Sequence, residues 1–330
     1  MGLNELIRAK TQRPCYRVRI NGSIELIKVE SVQIESDFDR SSASATVTCA
    51  AKRNVQPNDE IVIEQGYDGY MRRTFTGYVD DVDREAFPNK FVIAARDVLK
   101  RAIDNYLVEE IEYDSVQAED IVKDLLEKSG IYNYSLDTTN FTVGDVNPAK
   151  FSLISAMDAI KAIADLIGWR VWATKGGTVK FAKVYPKPST EYKWLYTKDP
   201  TFGSQSGIIR VTRSFTDINL RNWVEVWGWT NPITGETIEA VRSADSPFVP
   251  SPPRYRKCVV SSEIIDTQSM ADWIAERILN DLNCLLERGD VEIQGNPKLN
   301  VGDTIRITED WTDQSSGVNY FIYGFSSRMD

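Results

Sequence analysis

Short runs of alternating apolar and polar residues fill the first hundred positions. Cys15-Tyr16-Arg17-Val18-Arg19-Ile20 alternates, Asn21-Gly22 marks a hairpin turn, and 24–29 returns. Residues 31–35, 43–49, 61–64, 73–79 and 91–95 continue the pattern, so six to eight strands are expected, in a barrel or a sandwich. The period changes after Asp97. Over 117–129, Ile121, Val122, Leu125 and Leu126 recur at helical spacing, Glu119 and Asp120 load the first turn, and Gly130 is the stop. A second helix is predicted over 152–167, with Leu153, Ile154, Met157, Ile160, Ala164 and Ile167 on one face and Gly168 at its end. Trp169-Arg170-Val171-Trp172, a Lys175-Gly176-Gly177 turn and 178–181 then form a hairpin.

Pro186 and Pro188 mark a linker. Strands follow at 207–212 and 222–229, with Trp223 and Trp227 on alternate positions. Pro247 to Pro253 reads as a surface loop. A third helix is expected over 268–287, carrying Met270, Trp273, Ile274, Ile278, Leu282, Leu285 and Leu286, and 290–329 reads as three strands.

One motif occurs twice. Pro57-Asn58-Asp59-Glu60-Ile61-Val62-Ile63-Glu64 precedes Thr74-Phe75-Thr76-Gly77-Tyr78-Val79. Asn300-Val301-Gly302-Asp303-Thr304-Ile305-Arg306-Ile307-Thr308 precedes Tyr320-Phe321-Ile322-Tyr323-Gly324-Phe325. Matching Asp59 with Asp303 and Gly77 with Gly324 gives spacings of 18 and 21 positions, hence a second loop about three residues longer. Two copies this far apart suggest a duplicated β-domain rather than a solenoid. Duplication of a shape points to assembly.

Composition narrows the chemistry. The 330 residues suit two or three domains, and 42% hydrophobic with 26% charged residues is ordinary for a globular chain. No apolar run approaches the ~18–20 residues of a membrane span. The N-terminus lacks a signal-peptide pattern, and Leu6 argues against myristoylation at Gly2. Cys15, Cys49, Cys258 and Cys284 form no CxxC pair and read as reduced thiols made in a cytoplasm. The chain has no histidine, which excludes Ser-His-Asp and Cys-His catalysis and HExxH sites. A net charge of −9 and a pI near 4.9 argue against tight duplex binding. Asp80, Asp81 and Asp83 could bind a cation, but alternation puts Asp81 and Asp83 on one face and Asp80 on the other, as at a solvated strand end. No GxSxG, P-loop or GxGxxG occurs. No catalytic, cofactor or metal residue is therefore assigned. The eight Trp and fourteen Tyr raise a sugar platform, but such residues are more often core or interface aromatics, and Trp223, Trp227 and Trp273 fall on patterns that argue core or interface.

Several of these segments, in order along 50–330, resemble the tail-hub (baseplate-hub) proteins of tailed phages, including late-control proteins and the hub portion of type VI secretion spikes. They are Pro57-Asn58-Asp59-Glu60-Ile61-Val62-Ile63, Phe75-Thr76-Gly77-Tyr78-Val79-Asp80, Ala94-Ala95-Arg96-Asp97, the helix near 118–126, the 162–169 run and Asn222-Trp223-Val224-Glu225-Val226-Trp227-Gly228. The most specific is Val291-Glu292-Ile293-Gln294-Gly295-Asn296-Pro297-Lys298-Leu299-Asn300-Val301-Gly302-Asp303, a G-x-P-x-L-x-x-G-D turn between two strands. The resemblance implies an α+β, mainly β chain: a tube-like β-barrel over 1–100, a small α+β module over 101–187, and a second tube-like barrel over 188–330 with the 268–287 helix inserted. It implies a homotrimer whose six barrels stack on a sixfold tail tube and present threefold symmetry to a spike or tip. Expected partners are the tail tube or distal tail protein, the spike or tip protein, the tape-measure protein, and genome DNA passing through without specific binding. The chain would sit at the distal end of a virion tail, without enzymatic activity, any fused needle or lysozyme activity being carried by separate proteins. A tail-associated cell-wall hydrolase and a carbohydrate-binding tip module are the rival expectations.

Overall fold

In the computed structural model the described residues are 14–22, 24–26, 28–50, 54–67, 70–86, 89–184, 189–197, 205–244, 255–283, 286–309 and 314–329. The N-terminal part is built from β1 (Pro14–Ile20), β2 (Ile24–Glu25), β3 (Val29–Asp37), β4 (Ser44–Cys49), β5 (Glu60–Tyr67), β6 (Tyr70–Ala86) and β7 (Asn89–Asp97). Alternation does what the sequence predicts: Val18, Ile20, Val32, Ile34, Val47, Ile61, Ile63, Phe75 and Ile93 face one shared core. Asn21 and Gly22 both have positive φ, so the tight turn forms and Ile20 pairs with Ile24. The returning strand is shorter than expected. It stops at Glu25, and the chain swings away through Lys28, at φ 55°, to start β3.

The middle part matches its predicted elements with shifted ends. Helix α1 (Lys100–Asp104) was not foreseen; α2 (Ala118–Lys128) and α3 (Ala156–Ile167) were. The second begins four residues later than its apolar face suggested. Residues 154 and 155 instead pair with 107 and 106, and the Ser155 hydroxyl accepts the Asp158 N–H at 3.0 Å as the N-cap. A hairpin of Arg170–Ala173 and Val179–Ala182 packs with both helices around Ile121, Leu125, Met157, Ile160 and Phe181.

Three separate ladders make up the C-terminal part. Trp194–Thr197 runs parallel to Thr304–Glu309, which pairs antiparallel with Gln314–Phe321. Ile208–Thr216 pairs with Leu286–Ile293. Trp223–Thr230 lies between Thr237–Ser243 and Lys257–Ser261. Helix α4 (Gln268–Leu282) covers one face of that last sheet through Ala271, Ile274 and Ala275. The helix is five residues shorter than the predicted 268–287. Glu287 already belongs to a strand, held by Arg213 at 2.7 Å and by the Tyr320 hydroxyl at 2.8 Å. The expected three closing strands are four. The Pro186/Pro188 linker, the 247–253 loop and Cys284 lie outside the described residues.

The final strand, Gly324–Met329, leaves the C-terminal part and pairs antiparallel with β3, from Gly324↔Asp37 to Met329↔Val32. It becomes the eighth strand of the N-terminal sheet, in the order β2-β1-β5-β6-β7-β4-β3 and then 324–329. The sheet curls, bringing Ser327 to within 3.4 Å of Gln65 on β5. No described helix is long and apolar enough to cross a membrane.

Candidate functional site: a joint between three parts of the chain

The segment with the most specific sequence pattern is where the parts meet. Tyr67, at the end of β5, donates its hydroxyl to the Gly295 carbonyl at 2.5 Å. Lys175, at the hairpin tip of the middle part, donates to the Pro297 carbonyl at 3.0 Å and to the Leu299 carbonyl. Asn296 donates to the Tyr196 hydroxyl at 3.0 Å. The 295–299 turn thus offers carbonyls that no strand uses, and each neighbouring part supplies a donor. Thr76 on β6 donates to the Lys175 carbonyl at 2.9 Å, which seats the hairpin tip on the sheet.

A second contact is aromatic. Phe38 is buried with ring centroids 5.5 Å from Trp172, 5.9 Å from Phe321 and 5.9 Å from Tyr323. Trp172 comes from the middle part and Phe321 and Tyr323 from the C-terminal part, and the Tyr323 hydroxyl donates to Asp39. On the far side, Arg277 of α4 donates to the carbonyls of Asp165 and Leu166 at 3.0 and 3.2 Å, satisfying the C-terminal end of α3.

Between these contacts lies a cavity of 80 Å³ lined by Thr74, Thr76, Asp97, Lys175, Asn300 and Phe325, among others. Asp97 is buried, and burial pushes its carboxyl up to about 7 against the pull of two backbone donors, Ala43 N–H at 2.6 Å and Leu99 N–H at 2.9 Å. Burial likewise draws the Lys175 ammonium down to about 8, with Asp303 opposing. Both oxygens of Asp97 accept backbone hydrogens and the Lys175 ammonium is spent on carbonyls, so both groups position backbone here.

The aspartates singled out by sequence are split. A bulge between Val79 and Asp81 turns Asp80 toward Arg96, which grips it through two bonds of 2.7 Å, with Lys100 at 3.6 Å. Asp81 and Asp83 are exposed, opposite Ala94 and Val92. Among the described residues no three His, Cys, Asp or Glu side chains gather as a metal cluster. Cys49 is buried, and burial raises its thiol to about 11. Sequence reasoning placed Lys175 in a turn and Asp97 at a strand end, but nothing local marks Phe38, Tyr67 or Lys175 as the residues that join the parts.

The repeated motif is real at its turn. In both copies the first residue's N–H donates to the Asp side chain (Gln56 to Asp59 at 2.8 Å, Asn300 to Asp303 at 3.0 Å) and the Asp N–H donates back at 3.2 Å. The third residue has positive φ, 72° at Asn58 and 89° at Gly302. Asn58 N–H donates to Val79 O and Gly302 N–H to Ile322 O, both at 2.8 Å, with returns from Val79 and Ile322 at 2.9 Å. Val79 is therefore the counterpart of Ile322, and Gly77 is not the counterpart of Gly324. On this register the second loop is one residue shorter, 19 positions against 20. The flanking strands differ too: β1 runs antiparallel to β5, whereas 194–197 runs parallel to 304–309.

This mainly β fold with a curled sheet is one that solved phage tail proteins share. The tail protein from Neisseria meningitidis MC58 shares this fold at TM-score 0.70 and 16% identity, covering 96% of this chain and 92% of that one. The 43 kDa tail protein of prophage MuSo2 from Shewanella oneidensis gives 0.66 and 12% over 97% and 95%. Prophage tail protein gp18 from Listeria monocytogenes EGD-e gives 0.64 and 14% over 94% and 90%. No protein-family model and no curated protein matches the chain.

Proposed function

We propose that this chain is a structural hub protein at the distal end of a phage tail or a related injection machine. The observation that carries the reading is the end-to-end likeness to phage tail proteins, which takes in all three parts of the chain. In this reading three copies form a ring, and each supplies two tube-like barrels, one from 1–100 and one from 188–330, on either side of the 101–187 module. The repeated turn supports two related barrels. Six barrel positions would seat on a sixfold tail tube or distal tail protein, and the threefold face on a spike or tip protein, with the tape-measure protein ending in the ring.

The hub is read as non-enzymatic. The lack of histidine and the structural use of Asp97 and Lys175 support this. With a charge of −9 per chain the channel is neutral to acidic, so DNA passes under weak repulsion rather than through counterion-releasing contacts. Electron microscopy of assembled tails tests the reading: three copies in a distal ring are expected. One copy per tail, or a channel lined by Lys and Arg, would sink it. Saturable peptidoglycan hydrolysis by the purified chain, lost on one acid-to-amide change, would favour a hydrolase instead.

A further inference from the structure

The three-stranded sheet of 223–230, 237–243 and 257–261 buries one face under α4. Val224, Val226 and Ala240 point to the helix, so alternation turns Trp223, Glu225 and Trp227 to the opposite face. The register sets Val241 and Val259 on either side of Glu225, and they are 36% and 54% exposed. Nothing among the described residues packs over this second face as α4 does over the first. At its centre the Glu225 carboxylate accepts the Trp223 indole N–H at 2.8 Å and pairs with the Lys257 ammonium at 2.5 Å. The Tyr255 ring, 57% exposed, stands 5.1 Å from Trp223.

We propose that this face is a saccharide-binding platform for a linear, β-linked oligosaccharide. Trp223, whose N–H is turned in to Glu225, and Trp227 are both partly exposed on this face, and indole rings stack against the C–H faces of pyranose rings. The two tryptophans stand four residues apart on one strand, roughly 13 Å, which suits an extended chain of sugars better than a single sugar. The Lys257 side chain is half-exposed and its ammonium has donors to spare for hydroxyls. The placement of charge argues against a protein partner. A protein interface concentrates apolar side chains at its centre and charge at its rim. Here the ion pair is central and the aliphatic residues flank it. Covering that pair with apolar groups strips its water without replacement, whereas sugar hydroxyls replace it. The proposal holds whether or not the chain is a tail hub.

The test is titration of the full chain with chitohexaose, cellohexaose and maltohexaose, followed by calorimetry and tryptophan fluorescence. At least one of the two β-linked probes is expected to bind saturably, and more tightly than the coiled α-linked maltohexaose. Trp227→Ala and Trp223→Ala should each weaken that binding at least tenfold, and Trp227→Phe should retain most of it. Val259→Glu, at an exposed position, should block binding while leaving the thermal unfolding curve in place, which covers the case of an alanine variant that does not fold. No saturable binding of either β-linked probe, or equal binding by the Val259→Glu chain, overturns the proposal. So does self-association in sedimentation that Val259→Glu abolishes, because the face would then be a contact between copies.

Discussion

At 56–59 the chain turns into β5 and at 300–303 it turns into the 304–309 strand, and the same four hydrogen bonds hold both turns. Beyond them the copies part. After Val79 the first continues within a single strand, 17 residues long, and returns as β7 in the same sheet. After Ile322 the second breaks, passes Tyr323, and joins β3 of the other sheet. A four-residue turn is decided by its own residues: positive φ at the third position and a short acid at the fourth. Where the following strand goes depends on which sheet edge is open and what packs at the crossing. In the second copy Phe38 supplies that packing.

The comparison breaks most sharply at Phe38. Phe38→Ala removes the ring that Trp172, Phe321 and Tyr323 share, and a loss of about 3–5 kcal/mol is expected. Urea unfolding measures it. The crossing strand should also gain fast amide exchange at 324–329 while 60–67 stays protected. Equal exchange in both segments would show that the crossing does not depend on this cluster.

The two glycines matched by sequence should behave differently. A Cβ at Gly77 would meet the Arg96 carbonyl oxygen at 2.0 Å, whereas at Gly324 the nearest contact is the Ser36 oxygen at 3.0 Å. Gly77→Ala is expected to cost about 3 kcal/mol and Gly324→Ala about 1 kcal/mol or less. Similar losses in urea midpoints would restore the equivalence that hydrogen bonding denies.

The third turn position sharpens the comparison further. Gly302→Asn copies the first turn and should cost under about 1 kcal/mol, while Gly302→Val forces a β-branched residue to positive φ and should cost about 2 kcal/mol. The added Cβ meets only the Phe38 ring, at 3.6 Å, so the difference between the variants reports backbone strain.

The last contrast is in pH dependence. The Asp97 carboxyl sits at about 7 when folded, above its unfolded value, so its contribution is fully present at low pH and is lost as pH rises toward 7. Lys175 sits at about 8, below its unfolded value, so its contribution is lost as pH falls from about 10 to about 8. Asp97→Asn should remove a fall in stability as pH rises from about 4 to about 7, and Lys175→Met a fall as pH drops from about 10 to about 8. A profile unchanged in either variant would place that group in water rather than in the joint.

Much of this was legible before any coordinates. The alternation of Val18, Ile20, Val32, Ile34, Ile61 and Ile63 determined strands with one buried face, because side-chain direction along a strand has a period of two. Helical spacing of Ile121, Val122, Leu125 and Leu126, closed by Gly130, determined α2. Asn21-Gly22 and Asp59 determined their turns, since φ and a short acid act within four residues. Helix ends were less legible: 282 was read as 287 because Leu285 and Leu286 extend the apolar pattern. Only the tertiary structure decided that Arg213 and Tyr320, more than thirty residues away, hold Glu287 in a strand. It alone decided that the last strand joins the first sheet, that Lys175 caps the carbonyls of 297 and 299, and that the Tyr67 hydroxyl meets the Gly295 carbonyl. These are contacts between residues far apart in the chain, and no periodicity within one element encodes its partner.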